Sequence, residues 1–107
     1  MHRTLIVARM NAADAADVAS AFAESDATEL PHLIGVAHRT LFHFQGLYFQ
    51  LIEAEEDIAP KLDKARGNPL FHEINQRLGQ YISAFDPQTW REPKDAMATP
   101  FYTWSAS

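Results

Sequence analysis

The chain has 107 residues, 47% hydrophobic and 21% charged, with a net charge of −5 and no cysteine. That length suits one domain over residues 1–107 with a real core, and the hydrophobic share rules against disorder. An acidic balance without a Lys/Arg cluster excludes nucleic-acid binding and attachment to anionic lipid, both of which need concentrated positive charge. Lack of cysteine removes disulfides, thiolate nucleophiles and Cys-based metal sites, and it fits a reducing cytoplasm. No apolar run approaches about 18 residues, so no membrane-spanning helix is expected. The opening MHRTLIVARM has too short an apolar run for a signal peptide.

In chain order, Thr4–Met10 is β-rich and reads as a first strand. Residues 12–25, AADAADVASAFAES, place Val18, Ala21, Phe22 and Ser25 at helical spacing, which predicts an amphipathic helix capped near Asn11. Residues 26–31 read as a loop. Leu33–Phe44 and Leu47–Ala54 alternate and are rich in β-branched and aromatic residues. Gln45-Gly46 between them is a tight-turn signal. Asp57–Arg66 reads as a short helix with Pro60 in its first turn. Gly67-Asn68-Pro69 breaks it, and Leu70–Phe85 reads as the next helix. A proline-bearing loop from Asp86 to about Lys94 leads to a last strand, Met97–Trp104. The order β-α-β-β-α-β is the split βαβ pattern of α+β ferredoxin-like folds, one antiparallel sheet with helices on one face. The other face stays apolar, which predicts a homodimer.

A two-residue turn at Gln45-Gly46 pairs Phe44 with Leu47, His43 with Tyr48, Leu41 with Gln50 and Arg39 with Ile52. One face of the hairpin then carries Arg39, Leu41, His43, Tyr48, Gln50 and Ile52, and the other carries His38, Thr40, Phe42, Phe44, Leu47, Phe49, Leu51 and Glu53. The first set mixes apolar and hydrogen-bonding groups, as a ligand pocket's wall does. Which face meets the helices is left open by the pattern.

Arg39 is a permanent cation with a planar fork of donors, able to hold an enolate or phenolate; its bland alternative is a surface ion pair. Asp26, just past the first helix, is placed to act as a base, to orient a neighbour, or simply to end the helix. Glu29 reads as a rim carboxylate. His38 and His43 are five apart on one strand and point to opposite faces. No histidine pair has ligand spacing, so no metal site is expected. His43 beside Tyr48 is a candidate substrate contact, against the alternative of an exposed hairpin-tip residue. His2 and His72 read as solvent-facing. Phe71, Tyr81, Phe85, Trp90, Tyr102 and Trp104 read as core or interface, with one or two available to stack on flat rings.

The segments DATELP, IGVAHRTLFHF, LYFQLIEAEEDI and NPLFHEINQRLGQY resemble those of the tetracenomycin-type aromatic polyketide cyclases, small enzymes of type II polyketide pathways in actinomycetes. The likeness runs from about Leu5 to Trp104. It implies a dimeric ferredoxin-like fold and a cofactor-free enzyme that closes a later ring of a partly cyclised poly-β-ketone by aldol condensation and loss of water. It also implies a polycyclic polyketide intermediate as ligand and transient association with the polyketide synthase and other cyclases. In that family the site gathers a His-Asp pair after the first helix, an arginine on the second strand and a histidine on the third. Asp26 and Arg39 stand at two of these positions and would be catalytic. Ser25 and Gln50 replace the two histidines. Neither is a base near neutral pH, which argues against a histidine-centred mechanism. Gln50, Ser25 and Tyr48, with His43 and Glu29, would bind substrate oxygens. A cofactor-free oxygenase of the same architecture and a non-catalytic polyketide-binding subunit are the competing readings.

Overall fold

A computed structural model describes residues 1–106; Ser107, the last position of the expected 1–107 domain, lies outside the described residues. Four strands, β1 (His2–Met10), β2 (His38–Phe44), β3 (Leu47–Ala54) and β4 (Ile82–Ala84), form one sheet in the order β2-β3-β1-β4. Every neighbouring pair is antiparallel. Each half of the chain makes a crossover that skips one strand, which is the ferredoxin-like arrangement expected from the element order.

The hairpin register is the expected one. His43 pairs with Tyr48, Leu41 with Gln50 and Arg39 with Ile52. Gln45 and Gly46 have φ of 48° and 81°. Positive φ at both central residues makes a type I′ turn, whose twist matches that of the strands it joins. β1 lies against the other side of β3, with Ala8 opposite Tyr48 and Ile6 opposite Gln50.

Four helices cover one face: α1 (Ala15–Asp26), α2 (Leu30–Ile34), α3 (Ala59–Ala65) and α4 (Pro69–Leu78). The Asn11 side chain accepts from the Ala13 N–H at 2.9 Å and starts a 3₁₀ turn, Ala12–Asp14, that leads into α1. The Asn68 side chain caps α4 by accepting from the Leu70 N–H at 2.8 Å, and Pro69 occupies the first turn, where a missing N–H goes unused.

Three expectations are corrected. Residues 26–31 are not a plain loop, and β2 starts at His38 rather than Leu33, because Leu30–Ile34 form α2. Pro31 sits in its first turn and Gly35, at φ 88°, closes it in the left-handed conformation. The helix from Leu70 ends at Leu78, and Ile82–Ala84 turn out to be β4, paired with Ala8–Met10. The Met97–Trp104 strand does not form. Only Met97 bridges to Ile6, and the Ala98 N–H donates to the Leu5 carbonyl at 2.7 Å. Pro100 follows and has no N–H with which to continue a ladder, and Phe101, Tyr102 and Trp104 lie exposed.

The mixed face of the hairpin is the one that meets the helices. Tyr48, Gln50, Ile52 and Ala54 of β3 are buried beneath them. One cluster joins Ile52 and Ala54 to Ala21, Leu30, Ile34, Ile58 and Ile74, and a second joins Ala8 and Tyr48 to Met10, Val18 and Phe22. Ile58 is only 2% exposed, so Ile58→Ala is expected to lower the unfolding free energy by about 2–4 kcal/mol. Urea unfolding followed by circular dichroism checks this, and a loss under about 1 kcal/mol would contradict the packing described.

Candidate functional site

Between sheet and helices lies a cavity of about 530 Å³, within the usual size range of small-molecule sites. Ile6, Ile52, Ile58, Leu62, Phe71 and Ile74 supply much of its apolar lining. On its sheet side, side chains from α1, β2 and β3 make a polar wall.

Arg39 is the centre of that wall. Its Nε donates to Asp26 Oδ2 at 3.1 Å and its Nη2 to Asp26 Oδ1 at 3.0 Å, a two-pronged ion pair between β2 and the last residue of α1. Its Nη1 donates to Gln50 Oε1 on the neighbouring strand. The guanidinium carbon lies 4.8 Å from the centre of the Phe22 ring, in cation–π contact. The arginine side chain is 14% exposed and Asp26 36%, so the pair lies at the border between cavity and solvent.

Gln50 passes the network inward. Its Nε2 donates to Tyr48 Oη at 3.0 Å, and both residues are buried. Burial pushes the Tyr48 phenol well above its ordinary range; the Arg39 charge and the Gln50 hydrogen bond work the other way but are outweighed. Tyr48 is therefore a neutral hydroxyl throughout the physiological range.

The structure brings Asp26, Arg39, Gln50 and Tyr48 into one hydrogen-bonded chain. Ser25 lines the cavity beside them. Asp26 itself does not line the cavity and reaches it through Arg39. His43 and Glu29 are exposed and do not line the cavity. His43 shares the Arg39 face but sits at the turn end of β2, beyond the helices' cover. Glu29 precedes α2 and points away because that helix turns Leu30 and Ile34 inward.

Several lining residues escaped the sequence reading. Phe22 reads as core by its helical spacing alone. His72 is exposed, as expected, yet lines the cavity together with Asn75 of α4. Trp90–Pro93, in the loop after β4, roof the cavity from the far side. That loop is ordered by its own carboxylates. Asp86 accepts from the Gln88 N–H at 3.0 Å, and Asp95 accepts from the Arg91 and Glu92 N–H groups at 2.9 and 3.0 Å. The bonds from Glu92 and Arg91 hold the Asp95 carboxyl below the usual carboxylate range. Among the described residues, no three His, Cys, Asp or Glu side chains gather as a metal site would require.

A family model described as "Polyketide synthesis cyclase" matches residues 2–105. The chain belongs to this polyketide cyclase family. It is 53% identical over 105 residues to tetracenomycin F2 cyclase of Streptomyces glaucescens, covering 98% of this chain and 95% of that one. The solved structure of tetracenomycin F2 cyclase from Streptomyces glaucescens, described as a type-II polyketide cyclase, superposes with a TM-score of 0.93 at 52% identity, covering all of both chains. An uncharacterized protein of Streptomyces coelicolor is 56% identical over 105 residues, covering 97% of this chain and 95% of its own. Polyketide synthase CurG of Streptomyces cyaneus is 48% identical over 104 residues, covering 97% of each chain. The chain is thus a cyclase-family protein of type II polyketide synthesis, with no helix among the described residues long and apolar enough to cross a membrane.

The raised Tyr48 ionisation has a consequence for stability. A phenol harder to ionise in the folded state stabilises the fold fully below the unfolded value of about 10 and loses that contribution as pH rises past it. The urea midpoint is therefore expected to fall between pH 10 and 11.5 more steeply for the parent than for Tyr48→Phe. Equal slopes would contradict a buried Tyr48 hydroxyl.

Proposed function

We propose that this protein closes a later ring of a partly cyclised poly-β-ketone by intramolecular aldol condensation and loss of water, without a cofactor. A proton leaves a carbon between two carbonyls, and the resulting carbanion bonds to a ketone carbon. The alkoxide so formed takes up a proton, and water is expelled as the ring becomes aromatic. Such carbon acids are reactive already, so holding the chain in one fold is the larger part of the work, and positioning of this kind supplies several kcal/mol of barrier. The observation that carries this reading is the cavity of about 530 Å³, lined largely by apolar side chains and bearing the Arg39–Gln50–Tyr48 network on its sheet side, in a chain half identical to a named cyclase.

Arg39 would stabilise the developing enolate or alkoxide. A guanidinium has five N–H donors. Three are engaged by Asp26 and Gln50, which leaves two for an oxyanion. Asp26 would orient Arg39 and, through its remaining lone pairs, take or relay a proton. Ser25, Gln50 and Tyr48 would contact polyketide oxygens. Binding and shielding of an intermediate, without catalysis, is the second reading. It is favoured by one specific observation: both Asp26 oxygens already accept from Arg39.

Product analysis distinguishes them. The chain is coexpressed with a minimal aromatic polyketide synthase and its first-ring cyclases, and products are read by mass spectrometry and NMR. A cyclase yields a product with an extra ring and one fewer water. An oxygenase yields an unchanged skeleton with added oxygen, and a binding subunit changes only yield. Arg39→Ala is expected to slow ring closure by about 10²–10³-fold, the usual loss on removing a preorganised oxyanion donor. Closure at the parent rate would remove Arg39 from the mechanism.

We also infer a homodimer through the uncovered sheet face. Phe42 and Phe44 are 50% and 61% exposed there, and Phe49 and Leu51 are half-buried beside them. The aromatic tail carrying Phe101, Tyr102 and Trp104 adds further apolar surface that a second copy would cover. The double variant Phe42→Glu, Phe44→Glu is expected to sediment as a monomer while the parent sediments as a dimer; a monomeric parent would refute the inference.

A further inference from the structure

The direction of each hydrogen bond in the Arg39–Gln50–Tyr48 chain is fixed by chemistry. Arginine has only donors, so the group it meets on Gln50 must be the amide oxygen. The group facing Tyr48 is then the amide nitrogen, which can only donate. Tyr48 Oη accepts that bond, so its own proton is directed elsewhere. Among the described residues, the bond from Gln50 is the one side-chain hydrogen bond that Tyr48 Oη makes. Tyr48 and Gln50 both line the cavity, and a buried hydroxyl proton finds a partner there or nowhere. Each acceptor oxygen of this wall already takes one of these bonds, Asp26 and Gln50 Oε1 from Arg39 and Tyr48 Oη from Gln50, while two Arg39 hydrogens and the Tyr48 proton are left outside the network. The wall offers the cavity donors.

We propose that Tyr48 donates its hydrogen bond to an anionic oxygen of the bound polyketide, and that Gln50 is the positioning residue that sets the direction of that bond. The inference rests on the cyclase reading and deepens it: the ligand class is a polyketone or polyphenol bound through an enolate or phenolate oxygen, shared between Arg39 and Tyr48. Burial keeps the hydroxyl protonated while the substrate oxygen ionises. No proton changes owner in this contact. The hydroxyl bond shortens as charge grows on the oxygen, which favours the charged state over the neutral one.

The test uses 1,8-dihydroxyanthraquinone, whose visible absorbance reports ionisation of a phenol on a fused aromatic frame. Bound to the parent protein, the dye is expected to ionise at lower pH than in buffer. Tyr48→Phe, which keeps the ring and removes the donor, is expected to lower the bound dye's acid dissociation constant about tenfold. Gln50→Glu is expected to do the same by another route, because a carboxylate accepts the Tyr48 proton and turns it out of the cavity. A merely structural contribution would change how much dye binds but not its acidity once bound. Arg39→Ala separates the two levels of the argument. If it weakens the bound dye's acidity while Tyr48→Phe and Gln50→Glu leave it at the parent value, the Tyr48 inference is overturned and the cyclase reading stands. If Tyr48→Phe fails to fold, Tyr48→Leu, which also removes the donor without adding a charge, decides in its place. A parent protein that leaves the dye unbound, or binds it without any gain in acidity, overturns both.

Discussion

A permanent positive charge at the edge of an apolar cavity is the constraint that organises this end of the molecule. Arg39 cannot shed its charge, and its side chain is only 14% exposed. Left unpaired there it would be severely destabilising. The fold answers with three elements at once: the end of α1 brings Asp26, β3 brings Gln50, and the ring of Phe22 lies against the guanidinium face. Two of these partners are held by packing that would exist without the arginine. Phe22 belongs to a core cluster, and Gln50 is anchored between β1 and β2 by the sheet register. The arginine's geometry is therefore inherited from rigid surroundings, as preorganised electrostatic stabilisation requires.

The helical layer explains why a cavity exists at all. Long helices would lie flat on a four-stranded sheet and fill the space with side chains. Here each crossover is broken in two, by Ala27–Glu29 in the first and by Arg66–Asn68 in the second. The short pieces α2 and α3 contribute Leu30, Ile34 and Leu62 to the cavity's lining. The loop after β4 then closes the far side with Trp90–Pro93. The result is a core with two clusters and a ligand-sized space between sheet and roof.

How much of this the sequence discloses depends on the range of the interaction. The hairpin's turn, register and face pattern are legible, because Gln45-Gly46 fixes the turn, the turn fixes the register, and alternation fixes which residues share a face; the start of β2 at His38 and the face that meets the helices are not. α2 is hidden by Pro31, which reads as a breaker although it is tolerated in a first turn; Gly35 after it was the available signal. β4 is hidden because Tyr81–Phe85 continue an apolar pattern that suits either helix or strand, and only pairing with β1 decides between them. Met97–Trp104 has a strand's composition but, among the described residues, lacks a strand partner beyond Ile6 and Leu5. The pairing of Asp26 with Arg39 joins residues 13 apart on different elements. Family resemblance, rather than periodicity, brings those two together. In the roof at Trp90–Pro93 the sequence singles out Trp90 as an aromatic that could stack, but not its place over the cavity, since that depends on where β4 releases the chain.

The choice of an amide at position 50 has a chemical meaning that charge alone does not reveal. An imidazole between Arg39 and Tyr48 could exchange donor and acceptor roles or take up a proton near neutral pH. An amide can do neither. With Arg39 on its oxygen, Gln50 is locked in one orientation, and its polarity passes unchanged to Tyr48. For the poly-β-ketone proposed as substrate, whose carbon-bound protons are already acidic, a permanently polarised wall would be the more useful arrangement. In the proposed reaction the rate would depend on how well oxygen charge is held, and a wall that does not reorient would hold it in one fixed geometry.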